Sequence, residues 1–148
     1  MANLFTRLQA VKKANGYQTD FGLNGWRWKS SPFDPTDLPG FNLKDVSCQF
    51  TPRVSKRHGW TLTVDVEIGL AAGLNTPDEL SRAEADVYTV IAQDPRFSAL
   101  GFDTTCQTDP VESEFIVVQE EKLLAGVRVR LAVYFTTGMW NPFVLTVP

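Results

Sequence analysis

The chain reads as an α+β fold, a mainly antiparallel sheet with two helices packed on one face, and two stretches carry that reading. In the first, Leu62, Val64, Val66, Ile68 and Leu70 alternate strictly with Thr61, Thr63, Asp65 and Glu67, the period of a strand buried on one side only. In the second, Thr76-Pro77-Asp78-Glu79 has the order of an N-cap, a proline at the first helical position and a capping-box glutamate. Leu80, Ala83, Val87, Val90 and Ile91 then fall on one helical stripe, which stops before Asp94-Pro95. A one-sided strand feeding a one-sided helix requires a sheet with a helix lying across it.

The elements follow in chain order. Residues 3–15 are expected as the first helix, with Leu4, Phe5, Leu8 and Val11 on one side and Gly16 as its C-cap. Asn24-Gly25 is the preferred pair for a two-residue type I′ turn, predicting a hairpin that sets Leu23 against Trp26 and Phe21 against Trp28. Pro32, Pro35 and Pro39 make residues 30–41 a stiff loop. Residues 43–51 form a strand with Val46, Cys48 and Phe50 alternating, and residues 52–59 return the chain into the central strand. The two strands make a long hairpin whose tip carries Arg53, Lys56, Arg57 and His58. After the second helix, residues 102–108, 114–119 and 125–135 are expected as strands, the last because Val127, Val129, Leu131, Val133 and Phe135 alternate with polar or small residues.

The 148 residues suffice for one domain with a true core, residues 1–148, ending in an apolar tail over residues 138–148. A net charge of −3 excludes bulk attraction to nucleic acid or membrane, so any charge effect is local. The first residues lack the basic and apolar regions of a secretory signal, which points to a protein made and kept in the cytosol. Cys48 and Cys106 are then expected as reduced thiols buried in strands. Residues 131–148 carry no charge, but Thr136, Thr137, Gly138, Asn141 and Pro142 make the run too short and too polar for a membrane span.

Nothing in the chain assembles into a catalytic or metal centre. One histidine and two cysteines have no zinc-motif spacing. Phe50 set opposite Trp60 puts Cys48 opposite Leu62, roughly 13 Å along the strand from His58, too far for a nucleophile pair. His58 is expected at the surface. Asp109, Glu112, Glu114, Glu120 and Glu121 read as a solvated face, and residues 71–75 lack the spacing of a phosphate loop. No enzyme, cofactor or metal is therefore expected. Two interaction candidates remain. Arg53, Lys56 and Arg57 form either a solubilising tip or a contact for phosphates or an acidic partner. Trp140, Phe143 and Leu145, in the uncharged tail, either fold back on their own core or cover another subunit.

Several strings carry a family likeness. They are Asp37-Leu38-Pro39-Gly40-Phe41 entering a strand, the helical Ala83-Glu84-Ala85-Asp86-Val87-Tyr88, and the exit Asp94-Pro95-Arg96-Phe97-Ser98-Ala99-Leu100-Gly101. Together with the opening helix, the long hairpin and the final long strand, the chain resembles the tail terminator (minor tail) proteins of long-tailed bacteriophages. The resemblance implies a structural virion protein without cofactor, assembled in the bacterial host cytoplasm. It implies a homo-oligomeric ring, a hexamer, that caps the tail tube protein, meets the head-tail connector protein and lets DNA pass through its lumen. The Asn24-Gly25 hairpin and the tail after Gly138 lie outside that pattern, and leave a head-tail joining or tail-completion protein as the alternative within the virion. An alternative of another class is a monomeric α+β module that encloses a small apolar ligand against Trp26, Trp28 and Trp60.

Overall fold

The computed structural model describes residues 1–51, 57–73, 75–97, 106–118, 124–138 and 141–145. Its elements are α1 (Ala2–Gln9), β1 (Asn24–Arg27), β2 (Gly40–Thr51), β3 (Arg57–Ala71), α2 (Thr76–Gln93), β4 (Cys106–Val118), β5 (Leu124–Gly138) and β6 (Asn141–Leu145). The six-stranded sheet has the order β1-β2-β3-β5-β4, with β6 paired to β5 off that path. Only β1 and β2 run parallel; the other pairs are antiparallel. The α+β reading, with both helices on one face of a mainly antiparallel sheet, is the observed architecture.

β3 is central, as its alternation requires. Val64, Val66 and Ile68 are at most 1% exposed, and each lies between a residue of β2 and one of β5, as in Leu43, Val66 and Val129. Leu80, Ala83, Val87, Val90 and Ile91 of α2 cover that face, with Leu4, Leu8 and Val11 from the opening segment joining the same cluster. Polar anchors fix α2 to α1 and to the segment that follows α1. Asp86, buried in α2, accepts from the Gln18 and Thr19 amides and from Thr19 Oγ1 at 2.6 Å. Arg7 of α1 donates to the Asp94 and Val90 carbonyls at the C-terminal end of α2.

Five local expectations are corrected. The first helix ends at Gln9, because the Asn15 amide bonds to Ala10 O and Asp20 accepts from the Lys13 amide, and such side chains compete with the helical backbone. Residues 13–15 form a separate 3-10 turn, and Gly16 closes that turn at φ 87°. Asn24-Gly25 makes no hairpin. Phe21–Leu23 is a 3-10 turn, and Asn24–Arg27 runs parallel to β2, with the Asn24 amide bonded to the Asp37 and Pro39 carbonyls. Gly25 is needed for closeness instead of turn geometry, since a Cβ there would stand 2.6 Å from the Phe41 ring. At α2, the N-cap is Asn75 and no capping box forms; the Thr76 hydroxyl turns back to the Gly73 amide and carbonyl.

The remaining two concern strands. Residues 106–108 and 114–118 of the two expected segments are parts of one strand, β4, whose register shifts between Pro110 and Glu112, while residues 102–105 and 119 lie outside the described residues. A proline survives there because β4 is an edge strand and the bulge absorbs its missing donor. The other concerns β2, which starts at Gly40 and shifts register between Asp45 and Ser47. Beyond that bulge Cys48 and Phe50 share the face of Leu62 and Trp60, as expected, but there the strands run past the helices, so Val46, Cys48 and Phe50 are exposed. Cys48 is therefore not a buried thiol.

Candidate functional site

Of the two interaction candidates of the sequence, Arg57, Phe143 and Leu145 are described, and their strands flank β5 on either side at one end of the sheet. Arg57 opens β3 opposite Gly138 at the end of β5, and Gly138 in turn faces Asn141 of β6. Phe143 and Leu145 fall in β6, with Leu145 opposite Thr137. The backbone of residues 141–145 of the apolar tail thus folds back onto its own β5. Arg53, Lys56 and Trp140 lie outside the described residues.

An aromatic patch fills the helix-side face at this end. Phe50 meets His58 at 5.3 Å and Trp60 at 5.5 Å between ring centroids, both edge to face. Trp60 Nε1 donates to Thr137 Oγ1 at 3.0 Å. His58 is 5% exposed, against the expectation of a surface histidine, because β3 begins one residue before it and carries it onto the buried face opposite Thr137. Cys48 pairs with Leu62 across the hairpin, so the expected separation from His58 holds in the register.

The opposite face of the sheet is charged in ordered rows. Asp65 faces Arg130, which faces Glu112; Glu67 faces Arg128, which faces Glu114. Arg130 holds Asp65 with Nε at 2.7 Å and Nη2 at 2.9 Å, and reaches Glu112 with Nη1 at 2.6 Å. Arg128 pairs with Glu114, and Lys44 with Glu67 at 2.8 Å. The Asp65 carboxylate, through its hydrogen bonds and its charge, and then Glu112 and Glu114 hold the Arg130 guanidinium pKa above its ordinary value. Each of the two arginines thus stands between two acids of the neighbouring strands, and the rows form cross-strand ladders. No cluster of metal-ligating side chains occurs among the described residues, and no described helix is long and apolar enough to cross a membrane.

At the far end of the same face lies a trough of about 270 Å³ that composition did not reveal. Gly69 and Gly126, paired across β3 and β5, form its floor; Phe33 and Leu38 wall one side, Ile116 and Leu124 the other. A Cβ on Gly69 would come within 2.8 Å of Leu38 and 2.9 Å of Phe33, so the glycine admits the proline-rich loop onto the sheet. A Cβ on Gly126 would meet only Ile68 O closely, at 3.1 Å. Isolated glycines within strands are the one sequence signal for such a close approach. Trp26, Trp28 and Trp60 do not line this trough.

Comparison with known proteins adds no family to this geometry: no protein-family model matches the chain and no curated protein is significantly similar to it.

Proposed function

We propose that this chain is a structural virion protein, a tail terminator that assembles as a homo-oligomeric ring, caps the tube of a long bacteriophage tail and joins it to the head connector. The observation that carries the reading is that Arg57, the paired ends of β5 and β6 at Gly138 and Asn141, and the Phe50–Trp60 patch lie at one end of the sheet. A subunit held between two stacked rings needs a contact surface at an end, and aromatic anchors beside cations are the groups that concentrate binding energy. Arg53, Lys56 and Arg57 repeated around a ring would offer DNA in the lumen a weak, salt-sensitive attraction. The ion-paired carboxylates favour a role without catalysis. A head-tail joining or tail-completion protein would use the same surface.

A small-ligand module is the second reading, favoured by the trough over Gly69 and Gly126, whose volume lies just below that of ordinary small-molecule sites. Light scattering over a concentration series, followed by negative-stain imaging, separates the two. Rings of about six subunits are expected; a strict monomer at high concentration that retains an apolar ligand would replace the tail reading with the binding module.

A further inference from the structure

The two lateral edges of the sheet are complementary to each other. Strand β1 closes one side and β4 the other, and among the described residues nothing pairs with the outer edge of either. Most of the exposed large apolar side chains gather there: Leu23 and Trp28 flank β1, while Val111, Phe115 and Ile116 belong to β4. The charges also differ in sign. Arg27, which pairs with Asp45, and Lys29, which pairs with Asp37, lie at the β1 edge, whereas β4 carries Asp109, Glu112 and Glu114 and no cation. Glu112 and Glu114 keep about half of their side-chain surface in water at 51% and 52% despite their arginine partners. Finally, β1 runs opposite to β4, since β1 is parallel to β2 and three antiparallel steps lead from β2 to β4. A second copy placed alongside in the same orientation would therefore continue the antiparallel alternation.

Trp28 is the most exposed of these groups at 58%, and it is held rigidly. Its backbone sits at φ 59°, a region that bulky residues avoid unless their surroundings fix them there. The Trp28 amide donates to Leu43 O at 3.1 Å, and the next residue, Lys29, is clamped on both sides by the buried Asn42 amide at 3.0 and 2.9 Å. On the opposite edge, Ile116 borders the trough over Gly126.

We infer that the chain associates head to tail with copies of itself, the β1 edge of one copy abutting the β4 edge of the next, with Trp28 seated against Ile116 and the Gly126 trough. The contact is heterologous, because its two halves lie on opposite edges of one subunit, and repeated contacts of this kind close into rings or extend as filaments. The inference deepens the ring reading by naming its interface, and relies on that reading only for closure.

The test uses Trp28→Gly, which removes the knob and relaxes the left-handed backbone, and Ile116→Asp, which charges the receiving edge. Mass by light scattering is measured for wild type, for each variant and for their equimolar mixture, with melting curves alongside. Expected are a wild-type oligomer, two folded monomeric variants, and a mixture that stops at the dimer, because each variant keeps one intact edge. A monomeric wild type, an oligomer surviving either substitution in a folded protein, or a mixture that stays monomeric overturns the interface. Rings that persist in both variants would leave the ring reading standing without this contact. Oligomers dissolved by both variants, with full infectious-particle yield on complementation, would keep the contact and remove the tail role.

Discussion

Asp65 and Arg130 face each other across β3 and β5 in a two-pronged ion pair, with the carboxylate 5% exposed and the arginine partly open to water. This asymmetry fixes what each substitution does. Arg130→Ala leaves a desolvated carboxylate without its two-pronged partner, since Lys44 on its other side is engaged by Glu67, whereas replacing both residues by threonine leaves no buried charge in the pair. The double variant is expected to unfold at a higher urea midpoint than Arg130→Ala, and the wild-type pair to lose little stability in high salt because Asp65 is screened from water. A double variant less stable than the single would contradict this account.

The cysteines are expected to be structural and unequal. Cys48 is exposed, so Cys48→Ser should change stability by less than about 0.5 kcal/mol. Cys106 packs against the core beside Phe135, and Cys106→Ala should cost about 1 kcal/mol. Both variants should keep wild-type assembly; loss of assembly in a folded Cys48→Ser protein would assign that thiol a role in contacts.

Acid should loosen the proline-rich loop through Asp37. The Asp34 amide donates to the Asp37 carboxylate at 2.9 Å, and that bond, with Lys29 at 3.2 Å, holds the carboxyl pKa below its ordinary value against the opposing effect of burial. A lowered folded-state pKa means that the stabilisation is complete above the ordinary carboxylate value of about 3.9 and is lost as pH falls through the folded value. Asp37→Asn should therefore be less stable than wild type at neutral pH, with the gap narrowing below about pH 4. Thermal melts at a series of pH values read the gap directly, and a gap independent of pH would remove Asp37 as its source.

The basic tip is expected to matter for assembly and not for folding. Arg57 lies at the margin of β3, away from the helix-packed core, so Arg53→Glu, Lys56→Glu and Arg57→Glu together should leave the melting temperature within a few degrees of wild type. The triple variant should lower infectious-particle yield in a complementation assay, and less so in a host medium of higher salt, because exposed charges are screened. Full yield at unchanged stability would make the tip a solvated loop.

Wherever a pattern needs only a period, the sequence by itself determined the outcome. The alternation from Leu62 to Leu70 and the stripe from Leu80 to Ile91 fixed a central strand, a covering helix and the face on which they meet, since burying apolar side chains constrains every turn and every second residue alike. The tertiary structure decided what depends on partners distant in sequence. Asn24-Gly25 has the chemistry of a tight turn, yet Phe41 and the carbonyls of residues 37 and 39 draw it into a parallel edge strand. Thr76 likewise has the chemistry of a cap, but its hydroxyl is used three residues upstream. The candidate surfaces divide in the same way. Arg57 and the apolar tail were legible as compositional oddities, but their placement at one end of the sheet depends on β3 and β6 pairing with the same end of β5. The trough and the opposed edges had no local signature, because Gly69 meets Gly126, and β1 lies across the sheet from β4, only through the order in which the strands pair.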